Sequence, residues 1–185
     1  MREIVRQAIH LFFGIGIAMM VLFLDHEVVI AVLVSGLLTG VVLVDLILRG
    51  NTVPGLSPLV HYGDRCDPLP GKGAFFFGVS ALACTILFPV SVVVPALVAL
   101  SVLDSVTTLA GLRFGRHRIY NGKSWEGTLS GIAVTVLSLL PFLTTPGALA
   151  VSAVAGIIEL ISPVEDNLLI PVGVCLLLAL VPALV

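Results

Sequence analysis

Charged residues are scarce in this sequence. Only 11% of the 185 residues are charged, whereas about a quarter of the residues in a soluble domain are. Aromatic residues reach 6%, tryptophan occurs once, and cysteine occurs three times. The lack of charge excludes an ordinary soluble domain, and the net charge of −2 leaves no basic excess for a nucleic-acid partner. Three widely separated cysteines supply neither a disulfide framework nor a metal quartet.

Hydrophobic residues make up 58% of the chain and gather in seven runs. Each run comes near the length of about 20 residues that crosses a membrane as a helix. The runs span residues 8–24, 28–48, 73–89, 92–110, 126–143, 147–161 and 168–185. We therefore predict an all-α fold: a polytopic transmembrane helix bundle of about seven spans, with six or eight spans as alternatives, which forms one domain over residues 1–185.

Two pairs of glycines lie four residues apart within these runs, Gly36 with Gly40 and Gly127 with Gly131. Small residues at this spacing allow two membrane helices to approach closely. Glycine is also common in membrane helices without a packing role. The sequence leaves both interpretations open.

The charged residues that are present fall on one side of the predicted membrane. When seven spans are threaded from the N-terminus, all nine basic residues lie on the N-terminal side. Basic residues in short loops mark the cytoplasmic side, so we expect a cytoplasmic N-terminus. The acidic residues follow the same side, with Asp25 and Glu27 as exceptions. This asymmetry favours a site that faces the cytoplasm and handles a charged, water-soluble substrate.

Four acidic residues stand out within or beside the last four predicted spans, where a charge is costly and usually functional. Asp104 lies within the fourth run, and Glu126, Glu159 and Asp166 lie at ends of the next three. Converging carboxylates need a counter-charge, and Mg²⁺ supplies one while it bridges carboxylates to a phosphate. We predict that these four residues bind metal. The alternative is that each acid pairs with a nearby Lys or Arg.

Residues 111–128 contain three arginines, Lys123 and several glycines. Glycine allows the backbone to approach a ligand closely, and the N–H groups at a helix start attract anions. This composition predicts a polyphosphate site. The segment is not a Walker P-loop, because His117 stands where that motif requires glycine and no strand precedes it.

Polar residues near the two ends of the chain add to this set. Asp166 and Asn167 follow Glu159 across a short acidic connection, which indicates a shared site. Arg6 and His10 lie one helical turn apart and therefore share a helix face. On the sequence alone, an interfacial anchor and a catalytic pair are equally good interpretations of Arg6 and His10.

Taken together, these motifs resemble those of the CTP-dependent lipid-alcohol kinases, the family of dolichol kinase, phytol kinase and the yeast-type diacylglycerol kinase. The resemblance rests on Arg6-Gln-Ala-Ile-His10, Asp104–Gly111, Arg113–Arg116, Lys123-Ser-Trp-Glu-Gly-Thr-Leu-Ser-Gly131, Glu159 and Asp166-Asn-Leu-Leu-Ile-Pro171. Its dense part covers residues 104–171, the expected catalytic half. Arg65-Cys-Asp67 is similar to an Arg and Glu that the family often shows before its third helix, with Asp in place of Glu.

The resemblance implies transfer of the γ-phosphoryl group of CTP, with Mg²⁺, to the hydroxyl of a membrane lipid alcohol. A polyprenol or dolichol is the expected acceptor, with phytol, geranylgeraniol and diacylglycerol as alternatives. The implied catalytic residues are Asp104, Lys123, Glu126, Glu159, Asp166 and Asn167, of which Asp104, Glu126, Glu159 and Asp166 are also the expected metal ligands. The implied substrate-binding residues are Arg6, His10, Arg65, Gly111, Gly115, Arg116, Ser124, Gly127, Thr128 and Gly131.

Two other functions use the same features. A CTP-dependent cytidylyltransferase would make a CDP-lipid from a lipid phosphate and release pyrophosphate. A small transporter or an assembly subunit would carry out no chemistry, but transporters tend to place ionisable residues near the bilayer midplane. The crowding of charge at one interface counts against this last function.

Overall fold

The computed structural model describes residues 2–51, 71–119, 122–162 and 165–185. Within these ranges the regular structure is helical, apart from an isolated bridge between Arg118 and Ser124. The helices are α1 (Arg2–Phe23), α2 (His26–Leu48), α3 (Lys72–Leu87), α4 (Val90–Phe114), α5 (Trp125–Leu139), α6 (Thr145–Ile161), α7 (Asp166–Leu180) and a short 3-10 helix (Pro182–Leu184). Each hydrophobic run coincides with one α-helix, so the predicted all-α fold is confirmed.

Three of the described helices are long and apolar enough to cross a membrane, namely Glu3–Phe23 within α1, α2 and α4. Helices α3, α6 and α7 are apolar but shorter. Large hydrophobic side chains cover the outside of the bundle, and Phe12 and Leu180 are 77% and 80% exposed. An apolar surface of this extent is typical of a protein that contacts lipid or a partner.

Helix α4 forms the centre of the bundle and packs against α1, α5, α6 and α7. Every residue from Val92 to Ser105 is buried. A helix that is hydrophobic on all sides is stable where other helices or lipid surround it, and for α4 the neighbouring helices do so. Helix α2 lies at the edge, where it packs mainly against α3. The central position of α4 places its C-terminal turns among the ends of the neighbouring helices.

Within the part of the chain that the structure describes, the glycine pair in α5 is packed against another helix and the pair in α2 is not. A Cβ atom at Gly127 would lie 2.6 Å from the carbonyl oxygen of Thr107, and one at Gly131 would lie 2.1 Å from the methyl group of Thr107. By contrast, a Cβ atom at Gly36 or Gly40 would meet nothing within 4 Å. The packing interpretation therefore applies to α5 against α4, and within the described residues it does not apply to α2.

We predict that Gly127→Ala lowers the free energy of unfolding by about 1–3 kcal/mol, because the added methyl group overpacks the contact with the α4 backbone. Gly40→Ala is the matched control, since it adds the same methyl group in open space and alanine favours the helix. Thermal unfolding of both variants in detergent measures the difference. Equal melting temperatures would show that α5 and α4 do not pack this closely.

Candidate functional site

A cavity of about 620 Å³ lies at the end of the bundle where five helices meet. The starts of α3, α5 and α7 and the C-terminal turns of α4 and α6 contribute its walls, together with the segment that precedes α5. Its lining residues include Lys72, Phe76, Asp104, Thr107, Gly111, Leu112, Arg118, Lys123, Ser124, Thr128, Glu159, Glu165 and Asp166. The cavity thus collects three of the four predicted metal ligands, Asp104, Glu159 and Asp166, together with Lys123.

Lys123 connects two acidic residues from different helices. Its Nζ donates to the backbone oxygen of Glu159 at 2.6 Å and to Oδ2 of Asp166 at 2.8 Å. The same ammonium group lies 3.2 Å from Oε1 of Glu159. Lys123 directly follows Gly122, whose φ of +74° is a left-handed conformation that favours glycine. This turn sets the direction in which the lysine enters the cavity.

Glu159 is the most deeply buried of the acids, with 2% of its side chain exposed. Thr107 Oγ1 donates a 2.7 Å hydrogen bond to its Oε1, while its Oε2 is buried without a hydrogen-bond partner among the described residues. Asp104, Glu159 and Asp166 each offer one oxygen, and these three oxygens lie within 4.8 Å of one another. Oxygen ligands at this spacing and an orphaned carboxylate oxygen suit a hard divalent cation.

Glu126 lies outside this group of three carboxylates. Its Oε2 accepts from the backbone N–H groups of Arg116 and His117 at 3.2 and 3.3 Å, and its Oε1 lies 2.7 Å from Nδ1 of His117. The carboxylate therefore holds the segment between α4 and α5 in place. Arg116, expected to bind substrate, is exposed in this segment and is not part of the cavity lining.

Asn167 also does not line the cavity. Its Nδ2 donates to the backbone oxygen of Gly73 at 3.2 Å, and its own backbone oxygen accepts from Oγ of Ser80 at 2.8 Å. These two bonds join the start of α7 to α3. The contacts of Asn167 thus fix the position of its neighbour, Asp166, which is the first residue of α7.

Small residues bring the start of α5 against α4. The Oγ of Ser124 accepts from the backbone N–H of Gly127 at 3.2 Å and so caps α5. A Cβ atom at Gly115 would lie 2.7 Å from this same oxygen, and one at Gly111 would lie 3.3 Å from it. Thr128 lines the cavity, while Gly127 and Gly131 form the contact with Thr107 described above. Most of these residues therefore act as spacers, whereas Gly111, Ser124 and Thr128 also border the cavity.

The three predicted substrate-binding residues of the N-terminal half have different surroundings. His10 lies next to the cluster, with its Nε2 3.6 Å from Oδ2 of Asp104. Arg6 pairs with Glu3 on the same helix. Arg65 lies outside the described residues, so the structure does not place it.

Two residues of the site, Thr107 and Lys72, were not expected from the sequence, and a third, Arg118, was expected only as one of the three arginines of the predicted polyphosphate segment. Thr107 binds Glu159 directly, and its position three residues after Asp104 on one helix is a signal that could have identified it. Lys72 forms a 2.6 Å ion pair with Glu165, and Arg118 donates to the backbone oxygen of Gly122. Both basic residues line the cavity, and together with Lys123 they give it three cationic side chains.

Comparison with known proteins reveals one relative over nearly the full length. The uncharacterized protein MJ1137 of Methanocaldococcus jannaschii is 36% identical over 176 residues, which cover 92% of this chain and 90% of the relative. The chain belongs to the family of this protein. No protein-family model and no solved structure matches the chain. The chemistry of this MJ1137 family must therefore be inferred from the site itself.

We predict that Lys123→Met and Glu159→Gln together destabilise the protein by less than the sum of the two single changes. Lys123→Met leaves a buried carboxylate without its cation, and Glu159→Gln removes that charge. The expected coupling energy is about 1–3 kcal/mol from thermal unfolding in detergent. The exposed pair Arg49 and Asp45, 70% and 54% exposed, is the matched control and should couple by about 0.5 kcal/mol or less. Strictly additive effects at Lys123 and Glu159 would contradict this geometry.

Proposed function

We propose that this protein is an integral membrane kinase that transfers the γ-phosphoryl group of CTP to the hydroxyl of a membrane lipid alcohol of the polyprenol or dolichol type. One observation carries the proposal. Asp104, Glu159, Asp166 and Lys123, which are up to 62 positions apart in the chain, meet at one cavity. Had these residues been dispersed, the enzyme interpretation would have lost its support.

The charge pattern of the cavity suits phosphoryl transfer. This reaction needs little covalent chemistry from the protein, because catalysis consists mainly of positioning and of stabilising charge on the phosphoryl oxygens. Lys72, Lys123 and Arg118 supply cationic groups for a triphosphate. A volume of about 620 Å³ falls within the range of about 300–1,000 Å³ that is typical of small-molecule sites. We assign the phosphate-binding role to Lys123 and Arg118.

The acidic group suits Mg²⁺, the cofactor that we propose. Glu159 and Asp166 would hold the ion, which when bound supplies positive charge to the phosphate oxygens. The buried Oε2 of Glu159, which has no hydrogen-bond partner among the described residues, supports a ligand at this position. Mg²⁺ usually takes one or two carboxylates together with substrate phosphates, so one of the three acids is free for another role.

Several residues that the family resemblance implies for the site also line the cavity. Among the motif residues, the cavity is lined by Asp104, Gly111, Lys123, Ser124, Thr128, Glu159 and Asp166. The motifs come from three separate parts of the sequence, so their meeting at one cavity supports the kinase proposal over a chance similarity.

We further propose that the bundle has about seven spans and that the cavity faces the cytoplasm. The cavity is bordered by the starts of α3, α5 and α7 and by the ends of α4 and α6, as an up-and-down bundle requires. The positive-inside rule then places this end, with its basic residues, in the cytoplasm, where CTP is available. Phe76 and the 59%-exposed Leu112 give the cavity an apolar margin, which suits an acceptor that arrives from the bilayer.

We predict that the purified protein, with Mg²⁺ and γ-labelled CTP, transfers label to a polyprenol or dolichol in a panel that also contains phytol, geranylgeraniol and diacylglycerol. Asp166→Asn should lower the transfer at least 100-fold, because it removes a charge from the site. Glu27→Gln is the control, since Glu27 is exposed at the start of α2 and far from the cavity in sequence. Thin-layer analysis of the lipid product measures the transfer.

The same assay separates the alternatives. Label that enters lipid from the α-phosphate of CTP would indicate a cytidylyltransferase, and no transfer from either position would favour a transporter or an assembly subunit.

Membrane vesicles test the orientation, because CTP does not cross a bilayer. Inside-out vesicles should phosphorylate their lipid alcohol, and sealed right-side-out vesicles should not. The reverse pattern would place the cavity on the other side of the membrane.

A further inference from the structure

The carboxylate of Asp104 has a different neighbour from the other two acids of the cluster. Lys123 lies 2.8 Å from Asp166 and 3.2 Å from Glu159. Asp104 instead faces the imidazole of His10, whose Nε2 lies 3.6 Å from Oδ2 of Asp104. Both side chains are largely shielded, with 15% of His10 and 13% of Asp104 exposed. The cluster is therefore divided into a lysine-bound pair and a single acid that faces the histidine.

His10 is held in this position by packing on two sides. Its ring meets the ring of the buried Phe77 edge-on, with centroids 5.5 Å apart and an interplanar angle of 82°. Ser105, the neighbour of Asp104, donates from Oγ to the backbone oxygen of Gln7 at 3.2 Å. This bond sets the register of α1 against α4. The aromatic contact and the helix contact together direct the histidine toward Asp104.

The Nε2 atom of His10 is buried and has no hydrogen-bond partner among the described residues. A buried polar atom without a partner is costly, and such atoms are rare in folded proteins. At 3.6 Å, the gap to Asp104 exceeds a hydrogen bond by only a few tenths of an ångström. Hydrogen bonds of catalytic groups are often long before substrate binds and shorten in the substrate complex.

We propose that His10 is the positioning residue for Asp104, and that the carboxylate of Asp104 takes the proton from the acceptor alcohol. The inference rests on the proposed kinase activity, and it assigns a role to Asp104, the one acid of the three that is not proposed to hold Mg²⁺. The alcohol oxygen forms a bond to the γ-phosphorus, and the bond from that phosphorus to the bridging oxygen breaks. The alcohol proton passes to Asp104, and CDP leaves with the electron pair of the broken bond.

A pair of substitutions at position 10 tests this role. His10→Phe keeps an aromatic ring against Phe77 but removes the donor, and His10→Gln retains an amide N–H near the position of Nε2. We expect His10→Phe to lower kcat by about 10–100-fold, the usual cost of losing a residue that orients an active-site group. The KM values for CTP and for the alcohol should stay within about threefold, because His10 does not line the cavity. His10→Gln should keep kcat within about threefold of the wild-type value.

The outcomes of these assays either support or contradict the positioning role of His10. Three results would overturn the positioning role while the kinase activity stands. They are a wild-type kcat in His10→Phe, an equal loss of kcat in His10→Gln, and a change confined to the KM for the alcohol. No transfer by the wild-type protein would overturn the kinase proposal and this inference with it. If His10→Phe does not fold in detergent, His10→Asn replaces it, because its shorter amide does not reach Asp104. Equal activity of His10→Asn and His10→Gln would then refute the inference.

Discussion

The ammonium group of Lys123 holds two carboxylates from two helices, and the geometry of the site depends on this contact. Glu159 is 2% exposed, and a charged group at such depth is tolerated only with a partner of opposite charge or a proton. Lys123 comes from the segment before α5, Glu159 from the end of α6 and Asp166 from the start of α7. One side chain thus fixes the relative positions of three helix ends, and with them the walls of the cavity.

The packing of α4 explains how two further groups reach the same place. Helix α4 is enclosed by its neighbours, and the glycines of α5 allow the two backbones to approach closely. Asp104 and Thr107, one turn apart near the end of α4, then lie opposite Glu159. Helix α1 also packs against α4 and brings His10 to Asp104. The polar groups are therefore positioned by apolar packing, and a loose bundle would separate them.

The positions of the helices could be predicted from the sequence, because seven apolar runs are separated by connections that are polar or contain proline. The sequence also predicted that Asp104, Glu159, Asp166 and Lys123 belong to one site, because an ionisable residue within a membrane segment is costly, and these four residues line one cavity. It could not show the direction of a side chain. Glu126 and Asn167 belong to the same motifs, yet their contacts lie with a connecting segment and with α3. The sequence did not predict the contact of Thr107 with Glu159, because a hydroxyl in a helix commonly donates a hydrogen bond to the backbone of its own helix.

Manganese binding tests the central claim, that carboxylates from separate helices form one site for a metal ion and a nucleotide. Mn²⁺ replaces Mg²⁺ in most sites with oxygen ligands, and its electron paramagnetic resonance signal reports binding. We predict that the wild-type protein with CTP binds Mn²⁺ with phosphorus couplings, that Glu159→Gln weakens this binding at least tenfold, and that Asp45→Asn leaves it unchanged. Equal binding by the wild-type protein and Glu159→Gln would contradict the account.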